Sequence, residues 1–281
     1  MGKNFIIFSN LEKDPEREYL DKVADIIIGN GGSVSLKMHM GKNEKIMGTH
    51  LEQADIIISL GGDGTFLNIA RQVYQSRKPI LGINIGSLGF LSEIEFQDLG
   101  ESIADIMKGN YTILKRMMLQ ATIFRDGKKM KKLTALNDIV ISRGEMSKIV
   151  RLSIMINGSY VDTFPGDGIV VSTPTGSTGY SLSAGGPVVD HREKLIIITP
   201  ICPHTMHARS FITSELSEVA IDVMETESFP CILTSDGQKG FDLQGKDRVL
   251  ISKSIHSVHV IRMNKNGFYE TLRNKIYYRS K

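Results

Sequence analysis

The sequence predicts an α/β fold, with an N-terminal doubly wound α/β domain followed by an antiparallel β domain. Three observations predict it. Short apolar runs alternate with helix-period segments through the first third of the chain. A glycine turn carrying a carboxylate, Gly61-Gly62-Asp63-Gly64-Thr65, joins one such run to a helix. From about residue 111 the pattern changes to period-two alternation broken by tight turns.

The α/β part opens with the strand Phe5-Ile6-Ile7-Phe8. A helix follows from about Pro15, with Leu20, Val23, Ala24 and Ile27 on one apolar face and Gly29, Gly31 and Gly32 ending it. A strand at Val34 to Met38, a second at Asp55 to Leu60, a helix from Thr65 bearing Phe66, Ile69, Ala70 and Val73, and a strand at Ile80 to Asn84 continue the alternation. In such sheets ligands bind beyond the carboxyl ends of the strands, where the loops Gly61 to Thr65 and Asn84 to Leu91 both fall.

The β part begins with Met117 to Phe124 and an Asp126-Gly127 turn. Alternating Val150, Leu152, Ile154 and Ile156 then lead to Asn157-Gly158 and a return strand through Phe164. Further strands are expected at Ile169 to Val171, Leu195 to Ile198, Val219 to Val223, Cys231 to Thr234, Val249 to Ile251 and Val258 to Ile261. A short helix, Phe268 to Ile276, closes the chain and is expected to return to the first domain. The domains are thus 1–110, 111–262 and the terminal segment 263–281.

Composition bounds the function. The chain has 281 residues, 41% hydrophobic and 23% charged, an ordinary globular balance, and its net charge of +3 is too slight to argue for nucleic acid. Two cysteines make no disulfide framework, no apolar run approaches a membrane span, and the start lacks a signal-peptide pattern. The expectation is a cytoplasmic protein without membrane partners. Lys128, Lys129, Lys131 and Lys132 cluster on a hairpin and read as a solvated turn. Cys202, His204 and His207 lie among prolines with no evident fourth ligand, so no metal site is expected there.

The glycine turn carries the chemistry. It delivers the chain to a helix N-terminus, whose unpaired N–H groups and dipole suit a phosphate. Asp63 repels phosphate, so it asks for a role, either holding Mg²⁺ or accepting a proton from an attacking hydroxyl. Those five residues alone suit a plain strand-to-helix turn equally well. They are neither a Walker A loop nor a dinucleotide fingerprint. Gly82 to Leu91 adds Gly86 and Gly89 after a buried strand, with Phe90 available either as a wall for a base or as core. Asn137-Asp138 sets an amide beside a carboxylate at a strand start. Gly166 to Pro187 opens from a strand into a loop dense in hydroxyls and glycines, with Asp167 adding a second carboxylate.

Together these stretches, with Pro203-His204-Thr205, Arg209 and Leu272-Arg273, resemble the bacterial NAD kinases through nearly the whole chain. The resemblance implies an α/β domain plus a β-sandwich domain, and assembly into homodimers or homotetramers. It implies transfer of a phosphoryl group from ATP or polyphosphate to the adenosine ribose 2′-OH of NAD. Asp63 would be the base, Gly61, Gly62 and Gly64 would cradle phosphate oxygens, and Mg²⁺ would accompany ATP. Phe90, Asn137, Asp138, Asp167 and the run Thr178, Gly179, Tyr180, Ser181, Leu182 and Ser183 would contact nucleotide, as would Lys148 and Gln238. Two positions depart from the family pattern: Asp138 stands where many relatives carry Glu, and Pro165 where Arg or His is frequent. A lipid kinase would want an apolar slot in place of the Ser172 to Ser183 loop, a catalytically silent NAD sensor would not need Asp63, and a serine hydrolase would need a Gly-x-Ser-x-Gly elbow.

Overall fold

The computed structural model describes residues 2–41, 44–86, 89–144, 149–224, 231–263 and 267–276. The chain divides into two compact units, Met1–Arg116 with Ser257–Lys281, and Met117–His256.

In the first unit β1 (Asn4–Asn10) is followed by α1 (Glu18–Gly29), β2 (Ser33–Met40), α2 (Gly48–Leu51), β3 (Ile56–Gly61), α3 (Asp63–Val73), β4 (Ile80–Asn84), β5 (Ile94–Glu95) and α4 (Leu99–Lys108). All strand pairings here are parallel, in the order β2-β1-β3-β4, with β5 on β4 and Val260 opposite Ile80. β1, β3 and β4 are buried almost throughout, as expected of parallel strands covered on both faces. The chain winds one way from β1 to β2 and the other way from β1 through β3 to β4. The winding therefore reverses between β1 and β3, and the crevice of such a sheet opens beyond the carboxyl ends of these two strands.

α1 buries Leu20, Val23, Ala24 and Ile27 as the periodicity predicts. It starts at Glu18 rather than near Pro15, because the buried Asp14 accepts the N–H groups of Tyr19 and Leu20, each at 3.0 Å, and satisfies the first turn from outside. α3 starts two residues before the expected Thr65, with Gly62 extended ahead of it and its carbonyl accepting Thr65 N at 3.0 Å and Phe66 N at 3.1 Å. Asp63 is therefore a first-turn residue. Neither β5 nor α4 was expected from the sequence pattern. α4 buries Leu99, Ile103 and Ile106 in the same core as α1. The helix Phe268–Ile276 falls where its pattern places it.

The second unit holds most of β6 (Thr112–Arg125), then β7 (Lys128–Ala135), β8 (Asp138–Arg143), β9 (Val150–Ile156), β10 (Ser159–Gly166), β11 (Gly168–Ser172), α5 (Tyr180–Ser183), β12 (Leu195–Ile201), β13 (Phe211–Ser214), β14 (Val219–Val223), β15 (Cys231–Ser235), β16 (Gln238–Leu243) and the first part of β17 (Arg248–Arg262). One antiparallel layer runs β13-β12-β11-β8-β15-β16, and the other contains β10-β9-β14-β17 with β6 and β7. Alternate residues of both layers meet in one core: Ile139, Ile141, Ile169, Val171, Ile196, Ile198 and Leu233 from the first, Leu152, Ile154, Ile221, Val249 and Ile251 from the second. This is a β-sandwich. Asp126-Gly127 and Asn157-Gly158 both take positive φ, as the predicted hairpin turns require. The runs 249–251 and 258–261, expected as two strands, belong to one strand of 15 residues. The polar stretch Ser252 to Ser257 interrupts the apolar pattern but not the backbone.

Candidate active site

In the α/β unit the glycine turn after β3 places Asp63 against the loop after β4. The Asp63 carboxylate accepts Phe90 N–H through Oδ2 at 2.8 Å and Leu91 N–H through Oδ1 at 3.0 Å. A methyl group on Gly89 would fall directly on Oδ1, so glycine is what lets the carboxylate reach these donors. Asp63 is half-buried. Gly61 is buried at the strand end beneath Thr65, and Gly62 and Gly64 lie on the open side of the turn. Thr65 Oγ1 accepts Asn10 Nδ2 at 3.0 Å, which ties the end of β1 to the same turn. Phe90 is half-buried, and its main-chain N–H holds the Asp63 carboxylate.

In the sandwich unit the residues Leu136, Asn137 and Asp138 are gathered by a side chain that the sequence reading missed. Asp236, at the tip of the β15–β16 hairpin, accepts their three N–H groups at 2.8, 2.7 and 3.2 Å. The signal was present: Asp236-Gly237 is a hairpin turn dipeptide, and both residues take positive φ. Gly176 packs on this segment so closely that a Cβ there would strike the Asn137 carbonyl. A Cβ on Gly179 would sit 3.4 Å from Asn137 Nδ2 and 3.7 Å from Asp138 Oδ2. Asn137, Asp138 and Gly179 are thus brought together, and Asn137 Oδ1 is buried with no donor among the described residues. Burial, and secondarily the negative charge of Asp236, pushes the Asp138 carboxyl up to about 7.

The hydroxyl-rich loop leaves β11 and folds into a turn at Thr175–Thr178 followed by α5. Ser181 is buried and its hydroxyl lies 3.2 Å from Thr199 Oγ1, so it pins the loop to β12. Thr178 Oγ1 donates to the Thr175 carbonyl at 3.4 Å. Tyr180 and Ser183 are exposed and Leu182 half-buried. Asp167 pairs with Arg143, whose Nε lies 3.1 Å from Oδ1. Gln238 is exposed at the start of β16, and Lys148 lies outside the described residues. Pro165 sits in β10, and its carbonyl accepts His204 N–H at 2.8 Å. Cys202, His204 and His207 are exposed on the loop after β12, and among the described residues no group of three or more His, Cys, Asp and Glu could hold a metal ion.

A carboxylate at a glycine turn opening a helix, beyond the carboxyl edge of a doubly wound sheet, is the arrangement of a phosphotransferase. Residues 17–111 match the ATP-NAD kinase N-terminal domain, and residues 136–263 match the ATP-NAD kinase C-terminal domain. The chain is 42% identical over 282 residues to the NAD kinase of Ruminiclostridium cellulolyticum, covering 99% of each, and 40% identical over 277 residues to that of Acetivibrio thermocellus, covering 96% of each. It therefore belongs to the NAD kinase family. Its fold is that of yeast NADH kinase complexed with NADH, with a TM-score of 0.87 over all of this chain and 89% of that one at 23% identity. An NAD kinase from Archaeoglobus fulgidus in complex with ATP matches with a TM-score of 0.76 at 25% identity, covering 97% and 96% of the two chains.

Proposed function

We propose that this chain transfers the terminal phosphoryl group of ATP, or a phosphoryl unit of polyphosphate, to the adenosine ribose 2′-OH of NAD, forming NADP. The observation that carries the reading is the Asp63 carboxylate, fixed at the first turn of α3 by two main-chain N–H groups. The hydroxyl oxygen forms its bond to phosphorus as the bond to the leaving phosphate oxygen breaks, and the hydroxyl proton passes to Asp63. Such transfers run through loose transition states, so catalysis is mainly positioning and charge stabilisation. The glycines of the turn let phosphate oxygens approach the N–H groups at the start of α3.

The reading assigns NAD to the sandwich unit. Asn137, with its orphaned Oδ1, suits a donor on the adenine edge or ribose, and Asp138 suits a ribose hydroxyl. Asp167, Thr178, Gly179, Tyr180, Ser181, Leu182, Ser183 and Gln238 complete the contact set, with Ser181 acting through the loop it pins. The Asp side chain at 138 is one methylene shorter than the Glu of many relatives, and its burial beside Asp236 keeps it partly protonated near neutral pH, able to donate as well as accept. A magnesium ion fits these residues as a passenger on the donor. The described residues form no cage for it, and Mg²⁺ is commonly held largely by substrate phosphates and water. When bound it neutralises charge on the donor phosphates. No helix among the described residues is long and apolar enough to cross a membrane; a cytoplasmic homodimer or homotetramer is part of the same proposal.

The test is NADP formation from NAD, ATP and Mg²⁺ by the parent chain and by Asp63→Asn. Turnover in the parent that falls in the variant, with NAD binding retained, supports the reading. Absence of turnover in the parent with both ATP and polyphosphate overturns it.

A further inference from the structure

Lys13 takes no part in the site as described, yet it stands over both glycine turns. A methyl group on Gly62 would lie 3.0 Å from Lys13 Nζ, and one on Gly86 would lie 3.3 Å from it. The ammonium therefore covers the turn after β3 and the turn after β4 together. Its backbone is fixed. Asn10 Oδ1 accepts Glu12 N–H at 2.8 Å and Lys13 N–H at 3.1 Å, the Asn10 carbonyl accepts Lys13 N–H at 3.1 Å and Asp14 N–H at 3.0 Å, and Asn10 Nδ2 donates to Thr65. The next residue, Asp14, is buried and holds Ser9 Oγ at 3.0 Å as well as the start of α1. This loop follows β1, and β1 and β3 are the two strands between which the winding reverses.

The charge of Lys13 is not consumed inside the protein: among the described residues no carboxylate pairs with it, and its side chain is exposed. A second polar group at the same strand edge also lacks a partner. Asn84, only 4% exposed, donates through Nδ2 to the Gly86 carbonyl at 2.8 Å, but its buried Oδ1 meets no donor among the described residues and so suits a hydroxyl or amide donor of a ligand beside the phosphates. An unpaired cation on a clamped loop, over two glycine turns that carry one carboxylate, matches a ligand bearing several negative charges. Lys13 precedes residue 17, where the family match begins.

We infer that Lys13 holds the phosphate chain of the phosphoryl donor, offsetting its repulsion by Asp63 and aligning the terminal phosphate over the Gly61–Gly64 turn. The inference rests on the function proposed above, and it names the donor's polyphosphate chain, not the pyrophosphate of NAD, as the ligand.

Lys13→Met and Lys13→Arg separate the possibilities. Steady-state kinetics with Mg²⁺-ATP and NAD are expected to show kcat/KM for ATP lowered roughly 10- to 100-fold in Lys13→Met, the range of one charge-assisted contact. The KM for NAD and the melting temperature stay at parent values, and Lys13→Arg recovers most of the loss because it keeps the charge. Equilibrium binding of Mg²⁺-ATP without NAD weakens in parallel. An unchanged ATP response in Lys13→Met, or a rise confined to the KM for NAD, overturns the inference. The ATP-binding measurement stands even if the parent makes no NADP, so failure of this assignment and failure of the proposed reaction give different results.

Discussion

The two units use the same residue type in opposite ways. In the α/β unit the main chain holds a side chain: Phe90 and Leu91 N–H groups fix the Asp63 carboxylate. In the sandwich a side chain holds the main chain: the Asp236 carboxylate fixes three successive N–H groups at Leu136, Asn137 and Asp138. Asp138 receives neither treatment. Its carboxyl is buried beside Asp236 and is pushed up to about 7 as a result. The three aspartates differ in their surroundings: N–H donors make Asp63 a fixed acceptor and Asp236 a structural clamp, while burial and the charge of Asp236 raise the Asp138 carboxyl.

The largest effect is expected where the first arrangement is broken. Asp63→Asn should lower kcat roughly 100- to 10,000-fold, the range for loss of a positioned general base. Gly89→Ala should approach it without touching the carboxylate chemically, because the new methyl group displaces Oδ1; stopped-time NADP assays with ATP and NAD binding controls read both. A Gly89→Ala enzyme of parent kcat would show that the clamp is dispensable.

Breaking the second arrangement should act on NAD instead. Asp236→Ala leaves three N–H groups without their acceptor, and is expected to raise the KM for NAD about tenfold and to cost about 1–3 kcal/mol of stability by denaturant unfolding. The ATP response should stay near that of the parent.

Asp138 sharpens the comparison through pH. Its folded-state pKa lies above the ordinary carboxylate value, so between about pH 4 and pH 7 the native state binds more protons than the unfolded state. Its contribution to stability therefore falls as pH rises through that window. Asp138→Asn should lose this component, so the stability difference between variant and parent should grow in the variant's favour from pH 5 to pH 8. The smallest effect is expected at Gln238, exposed at the hairpin end, where Ala should change the KM for NAD by about twofold or less.

The α/β half was readable because its strands are short buried runs and its helices show one apolar face, and because a parallel sheet collects successive loops at one edge. The strand β4 and the helix 268–276 were placed to the residue. Asp63 announced itself by sitting among glycines. What could not be read was the partner of each polar group. The N–H groups that hold Asp63 belong to Phe90 and Leu91, whose side chains suggest packing, and main-chain donors leave no mark in residue identity. In the sandwich, Asn137, Gly176 and Asp236 are distant in sequence and meet only because β8 pairs with both β11 and β15. The edge strands β13 and β16 were missed because one is short and exposed and the other carries Gly240 in its middle. Lys13 was passed over although it follows the carboxyl end of β1, the position that sheet topology marks for ligands.

The main-chain hold on Asp63 also shapes how tolerant the molecule is to change. A substitution survey across positions 89–91 should find proline rejected at 90 and 91, since it supplies no N–H group, and polar residues rejected at 91, whose side chain is buried. Position 89 should accept glycine alone. Counting tolerated side chains would therefore reveal the glycine and the buried leucine of this loop, and not the two amide groups that fix the reacting carboxylate.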